Sequence, residues 1–344
     1  MTVWIITIGL LLTAASIRFP EQIQAQEPTG TPTTTGTPIL DATVTPAATA
    51  QFTPSPTPLA VEPVTHKIFD DISFASYELN SIAVDAEDNI FVPDGNRYVR
   101  VFTREFEEFR RIPVPQAVSV AFNRKRDVLL VGRHYPATIE QLDPVGRSLG
   151  TLWVAPNTTL DCIGVDQKDM IYAIYTSINA PFAQSMIKLD PKGNIIFVRD
   201  VATATSVNDT VYAMTFEPDG TLNVTASGYG RDPILLSFWQ FSPAGDRLTG
   251  RPRAYFTTLL MRPPGYPLRL PDGKLVMYNG DGLGFWQPDG HQISFTYWID
   301  TAGGPPRQSG KHGGIALSAD GETVYYADIT ETDKLVLGRT RLAE

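Results

Sequence analysis

Apolar and polar positions alternate in short runs along most of this chain, and the stretch from Ser81 to Phe102, SIAVDAEDNIFVPDGNRYVRVF, shows the pattern most plainly. Ile82 and Val84 alternate with small or polar neighbours, Ala86 to Asn89 makes a turn, and Ile90 to Val92 is a second apolar run. Asp94-Gly95-Asn96 turns the chain again before Val99, Val101 and Phe102. A period of two, broken by Asp, Asn and Gly, predicts short antiparallel strands joined by tight turns.

The pattern recurs. The later units are VSVAFNRKRDVLLV from Val118, DCIGVDQKDMIYAI from Asp161, YAMTFEPDGTLNV from Tyr212, YPLRLPDGKLVMY from Tyr266 and GGIALSADGETVYYA from Gly313. Their turn residues, Asp88, Arg126, Asp169, Gly220, Gly273 and Gly321, are 38, 43, 51, 53 and 48 residues apart. Spacings of roughly 40 to 50 residues are those of four-stranded propeller blades. Most units add a third strand and a further turn, as in the runs ending at Gly146, Gly193 and Gly245. The expected fold is therefore all-β, a six-bladed β-propeller over 65–344. An apolar piece from Thr65 to Asp70 precedes the first unit and is expected to supply the outer strand missing from the last blade. No stretch of this part carries a helical period.

The N-terminal part is different. Val3 to Ile17 is an apolar run of 15 residues, the length of a signal-peptide core rather than of a membrane span. Residues 1–25 are expected to be a signal peptide cleaved after Ala25, or else an uncleaved anchor, because no Lys or Arg precedes the run. Residues 26–64, with TPTTTGTP and TPSPTP, are too polar and proline-rich to build a core and are expected to form a disordered stalk. The chain is then secreted or held at the cell surface.

A net charge of −9 gives no footprint for nucleic acid. The single cysteine, Cys162, excludes an internal disulfide framework and a zinc cluster, and reads as a small buried strand residue. Asp85, Asp166 and Glu217 follow first strands and read as turn caps. Trp153, Trp239, Trp286 and Trp298 read as blade packing. The segments Tyr175–Gln184, Ser227–Pro233 and Ala302–Lys311 read as long loops walling a binding face. No nucleophile elbow, metalloprotease helix or phosphate loop is present.

GIALSADGETVYYAD from Gly314, with SIAVD, NIFVPD and YVRVF in the first unit, resembles NHL-type repeats and the six-bladed propellers of the gluconolactonase and senescence-marker-protein group. That resemblance implies a metal-dependent lactonase with acidic and Asn ligands at the starts of the inner strands. The matching column here holds Asn80, Val118, Asp161, Tyr212, Gly265 and Gly313, with His312 before the last. Only Asn80 and Asp161 are ligand types, and the group's early Glu has no counterpart. The expectation is a binding module without catalysis and without a cofactor. Its channel-mouth residues are Asn80, Asp161, Asp209, Tyr212 and His312, and its partner is a protein, glycan or small molecule. The alternative is a lactonase or related hydrolase using a divalent cation such as Ca²⁺ in the central channel.

Overall fold

Asp and Gly residues in the predicted turns are where the chain reverses. In the computed structural model, which describes residues 65–73, 81–201, 209–228, 236–248, 267–270, 272–278, 282–286, 292–297, 314–329 and 334–342, Asp88, Asp169, Gly220, Gly273 and Gly321 all have positive φ. These are the backbone conformations that Gly tolerates freely and Asp more readily than most residues. The second unit differs by one place: Asp127 turns the chain rather than Arg126, because the turn after Asn123 is a residue longer. Asp85 and Asp166 cap their own turns. The Asp85 carboxylate accepts from the Glu87 and Asn89 amides at 3.0 and 2.8 Å, and Asp166 from Lys168 and Met170 at 2.8 and 2.9 Å.

Between the turns lie antiparallel strands in six sheets. The first blade is β2 (Ala83–Val84), β3 (Ile90–Pro93), β4 (Tyr98–Phe102) and β5 (Glu108–Pro113). The second is β6 (Ala117–Asn123) to β9 (Ser148–Ala155), with β7 (Val128–Arg133) and β8 (Ala137–Leu142) between. The third holds β10 (Thr158–Val165), β11 (Ile171–Ser177), β12 (Ala180–Leu189) and β13 (Ile195–Asp200). Among the described residues the fourth has β14 (Asp209–Phe216), β15 (Leu222–Gly228) and β16 (Leu236–Phe241). The fifth has β17 (Pro267–Arg269), β18 (Leu275–Tyr278), β19 (Gly282–Trp286) and β20 (Gln292–Tyr297). The sixth combines β21 (Gly314–Leu317), β22 (Thr323–Ile329) and β23 (Lys334–Arg341) with β1 (Thr65–Ser73) from the other end of the domain. β1 runs antiparallel to β23 with Ile68 opposite Val336, so the expected closing strand is in place.

The innermost strands touch in sequence, β2 to β6 to β10 to β14 to β17 to β21 and back to β2, which closes the ring. This is a six-bladed β-propeller, and no helix occurs among the described residues.

A twisted four-stranded sheet cannot bury both faces alone, so the core lies in the seams between blades. Phe69, Ile82, Phe102, Tyr325 and Leu337 fill the seam of blades 6 and 1. Phe91, Ile112, Val120 and Leu129 fill the next, and Leu130, Ile139, Leu160 and Ile171 the one after. Tyr172, Met186, Val224 and Trp239 join blades 3 and 4, and Val276, Phe285, Tyr326 and Val336 join blades 5 and 6. Each such side chain contributes about 1.5–3 kcal/mol by leaving water.

The seams also carry polar links. Glu217 is one of them and not a turn cap. It pairs with Arg269 of blade 5, and its Oε1 accepts from Asn223 Nδ2 at 2.8 Å. Trp153 and Trp239 pack within seams, as expected. Trp298 lies outside the described residues, and only the backbone of Trp286 is described.

Candidate functional site at the channel mouth

In blades 2, 3 and 4 the column expected to hold the inner-strand starts holds bulges instead. β6, β10 and β14 begin one to three residues earlier than their pattern suggests. Their pairing slips between Ala117 and Ser119, between Leu160 and Cys162, and between Val211 and Ala213. The residue left over in each is Val118, Asp161 or Tyr212. A bulge breaks the two-residue alternation, so from the sequence the strand seems to start after it. Bulges re-aim side chains and gather at barrel rims and binding sites. Three in register on neighbouring inner strands give the upper mouth of the channel its own geometry.

At the lower end one side chain ties three blades together. Arg124, in the β6–β7 turn, donates to the carbonyls of Val84, Leu317 and Ser318 at 3.3, 2.5 and 3.2 Å. Blade 2 thereby reaches blades 1 and 6 beneath the inner strands.

Asp161 is half-buried, and Thr176 and Gln184 orient its carboxylate. Thr176 Oγ1 donates to Asp161 Oδ2 at 2.6 Å and Gln184 Nε2 donates to the same oxygen at 2.9 Å. Gln184, 3% exposed, also bridges to blade 4. Its Nε2 donates to the Val211 carbonyl at 3.1 Å, and its Oε1 accepts the Val211 amide at 2.7 Å. One blade back along the ring, Ser81 and the buried Ser119 bring their hydroxyls to 3.0 Å. Ser81 Oγ accepts from the Val120 amide at 2.7 Å and Ser119 Oγ from the Ile163 amide at 3.0 Å, so blades 1, 2 and 3 are stitched in series.

Sequence reasoning missed Gln184, Thr176, Ser81 and Ser119. The available signal was a polar residue inside an apolar run, as with Ser119 in AVSVAF. The segment Tyr175–Gln184 is no loop: β11 and β12 continue through it as a hairpin with Ser177 opposite Ala180. Of the other two expected loops, only Ser227 and Gly228 are described, as the end of β15.

Of the expected site residues, Asn80 and His312 lie outside the described residues. Asp209 and Tyr212 are placed by backbone only, both on β14, with Tyr212 at the bulge.

Cys162, next to Asp161, is fully buried, and burial pushes its thiol well above its ordinary pKa, with the Asp161 charge adding to the effect. The thiolate is the reactive form. Cys162 should therefore resist iodoacetamide at pH 8 in the folded chain and react at once in urea. Mass spectrometry of the two samples reads the difference, and rapid native labelling would contradict the buried placement.

A hard divalent cation such as Ca²⁺ takes six to eight oxygen ligands, commonly with several carboxylates. Among the described residues no group of three His, Cys, Asp or Glu is placed to hold a metal. The described part of the column offers Val118 and one carboxylate already turned toward two side-chain donors. By itself that described part supplies fewer oxygen ligands than such an ion takes.

No protein-family model matches the chain, and no curated protein matches it. Solved structures do. A gluconolactonase from Xanthomonas campestris superposes with a TM-score of 0.59 at 14% identity, covering 82% of this chain and 90% of that one. A luciferin-regenerating enzyme gives 0.59 at 10% identity, over 81% and 95%. The likeness is one of fold. A chain of the Kuenenia stuttgartiensis hydrazine synthase matches at 0.51 and 12% identity, over 78% of this chain and 98% of that one. Such different chemistries on one scaffold leave function to be argued from the site.

Proposed function

We propose that this chain is an exported, stalk-mounted propeller that binds a ligand at the upper mouth of its channel and performs no catalysis. Asp161 supplies the central acceptor, flanked by Asn80, Asp209, Tyr212 and His312. The observation carrying this reading is the commitment of Asp161 to Thr176 and Gln184, which fixes an acceptor in space. A hydroxyl nucleophile is activated by an adjacent base. The other described polar groups beside Asp161 are neutral: the Thr176 hydroxyl and the Gln184 carboxamide hold its carboxylate, and the buried Ser119 hydroxyl ties blade 2 to blade 3. Export rests on the apolar run Val3–Ile17, and the stalk on the Thr- and Pro-rich segment after it. The partner is a protein, a glycan or a small molecule.

A second reading is a metal-dependent lactonase, favoured by the shared fold with the gluconolactonase and the luciferin-regenerating enzyme. Incubating the full chain with aldonolactones in the presence of Ca²⁺, Mn²⁺ or Zn²⁺, and titrating the acid released, separates the two. The binding reading predicts release at the buffer rate. Metal-dependent hydrolysis above that rate would establish the second.

A further inference from the structure

The strand that closes the ring carries a group that titrates near neutral pH. Side chains alternate along β1. Lys67 and Phe69 turn to blade 1, where Lys67 Nζ donates to the Phe106 carbonyl and Phe69 joins the core. His66 and Ile68 take the other face, opposite Gly338 and Val336 of β23, which lie in turn opposite Tyr326 and Asp328 of β22. Tyr326 and Val336 belong to the seam of blades 5 and 6, so the half-buried His66 stands at the rim of that seam. Gly338 leaves a gap in the row, and the end of the Tyr326 ring lies over it, where a Cβ would collide. Side chains directly opposite each other on antiparallel strands stand about 5 Å apart. The row therefore sets His66 beside the buried end of Tyr326.

The charges around this row give an imidazolium no counter-charge. On the same face, β22 contributes Asp328, one row farther along and across β23, and β23 contributes Lys334, farther still. The Tyr326 hydroxyl is kept protonated by burial. Across the seam, β18, β19 and β20 contain no acidic or basic residue, and Arg269 of β17 pairs with Glu217. On the opposite face the flanking charges are Lys67 and Arg339, both positive, while Glu322 is paired with Arg341. Burial accordingly holds the His66 pKa below its ordinary value.

We propose that His66 makes closure of the ring acid-sensitive: β1 is held while the imidazole is neutral and loosens from β23 once it is protonated. The sign follows from where the proton binds better. A freed strand has the ordinary imidazole, with a pKa of about 6.5, and the closed strand a less basic one. Between the two values the freed state binds more protons, so closure weakens as the pH falls below about 6.5. The weakening is complete once the closed form is protonated as well. None of the channel-mouth residues takes part, so the proposal stands or falls apart from that reading.

Hydrogen exchange of the full chain, read by mass spectrometry near pH 7.5 and near pH 5 and corrected for intrinsic exchange rates, tests it. Protection over 65–69 should fall about threefold or more at the lower pH, while β6 and β7 stay within about twofold. His66→Gln, which cannot take up the proton, should remove the difference. Proton NMR gives a second readout: of the four histidine signals, the one missing from His66→Gln should titrate below about 6.5. Unchanged protection over 65–69, an equal fall in His66→Gln, or a His66 signal titrating at or above about 6.5 would overturn the proposal.

Discussion

A chain lacking residues 1–73 should fail to fold as a propeller, although its six inner strands are intact. β1 is the outer strand of the last blade, and it joins the start of the domain to β23 near its end. Phe69 is buried in the seam of blades 6 and 1, with its ring 5.0 Å from that of Phe102. Lys67 Nζ adds a bond to the Phe106 carbonyl at 3.0 Å. Without β1, Leu335 and Leu337 lose their cover and β23 becomes an open edge. Phe69→Ala alone should cost about 3 kcal/mol, the lower end for a buried phenylalanine, since the strand lies at the rim. Against a total stability of about 5–15 kcal/mol, loss of the whole strand removes most of the margin. Thermal melting monitored by near-ultraviolet dichroism reads both. The expected result is no cooperative transition for the truncated chain and a melting point lowered by roughly 5–10 °C for Phe69→Ala. A truncated chain melting within about 2 °C of the intact one would show that β1 is a dispensable appendage.

Gly314→Ala should strain the ring badly at the seam of blades 6 and 1. Gly314 opens β21, and a Cβ there would stand 2.5 Å from the Ile82 nitrogen and 2.7 Å from the Ser81 carbonyl carbon. Both atoms are backbone, so no side chain can swing aside. The inner strands of blades 6 and 1 approach closely only because that position has no side chain. Relief requires moving blade 1 outward, and overpacking of this kind costs about 3 kcal/mol at the upper end of its usual range. The displacement also bears on Ser81, whose hydroxyl bonds to Val120 and Ser119, so it spreads to the channel mouth. Urea unfolding should show a stability loss of about 3 kcal/mol. A loss below about 0.5 kcal/mol would mean the seam is looser than the contacts imply.

The same glycine shows why the scaffold was legible and the site was not. Turns depend on one or two residues in a row, so Asp88, Asp169, Gly220, Gly273 and Gly321 announced themselves locally. The alternation between them predicted the strands, and the spacing predicted the blades. Whatever depends on which blades meet was hidden. Gln184 meets Val211, Ser119 meets Ile163, and Glu217 meets Arg269 only after the ring closes. Glu217, like Asp85, follows a first strand, yet its carboxylate turns to the next blade. The bulges at Val118, Asp161 and Tyr212 were misread for a related reason. An extra residue disrupts the alternation from which a strand is recognised, so the strand appears to begin beyond it. Asp161 was chosen from the sequence as a ligand type. The structure shows two side chains that this carboxylate touches, the Thr176 hydroxyl and the Gln184 carboxamide of its own blade.

Calorimetric titration of the full chain with Ca²⁺, Mn²⁺ and Zn²⁺, repeated on Asp161→Ala, tests the central claim most directly. A mouth built around one carboxylate held by Thr176 and Gln184 predicts no saturable heat at micromolar metal in either protein. Stoichiometric micromolar binding in the intact chain that disappears in Asp161→Ala would contradict it, and would place a catalytic cation where a binding acceptor is proposed.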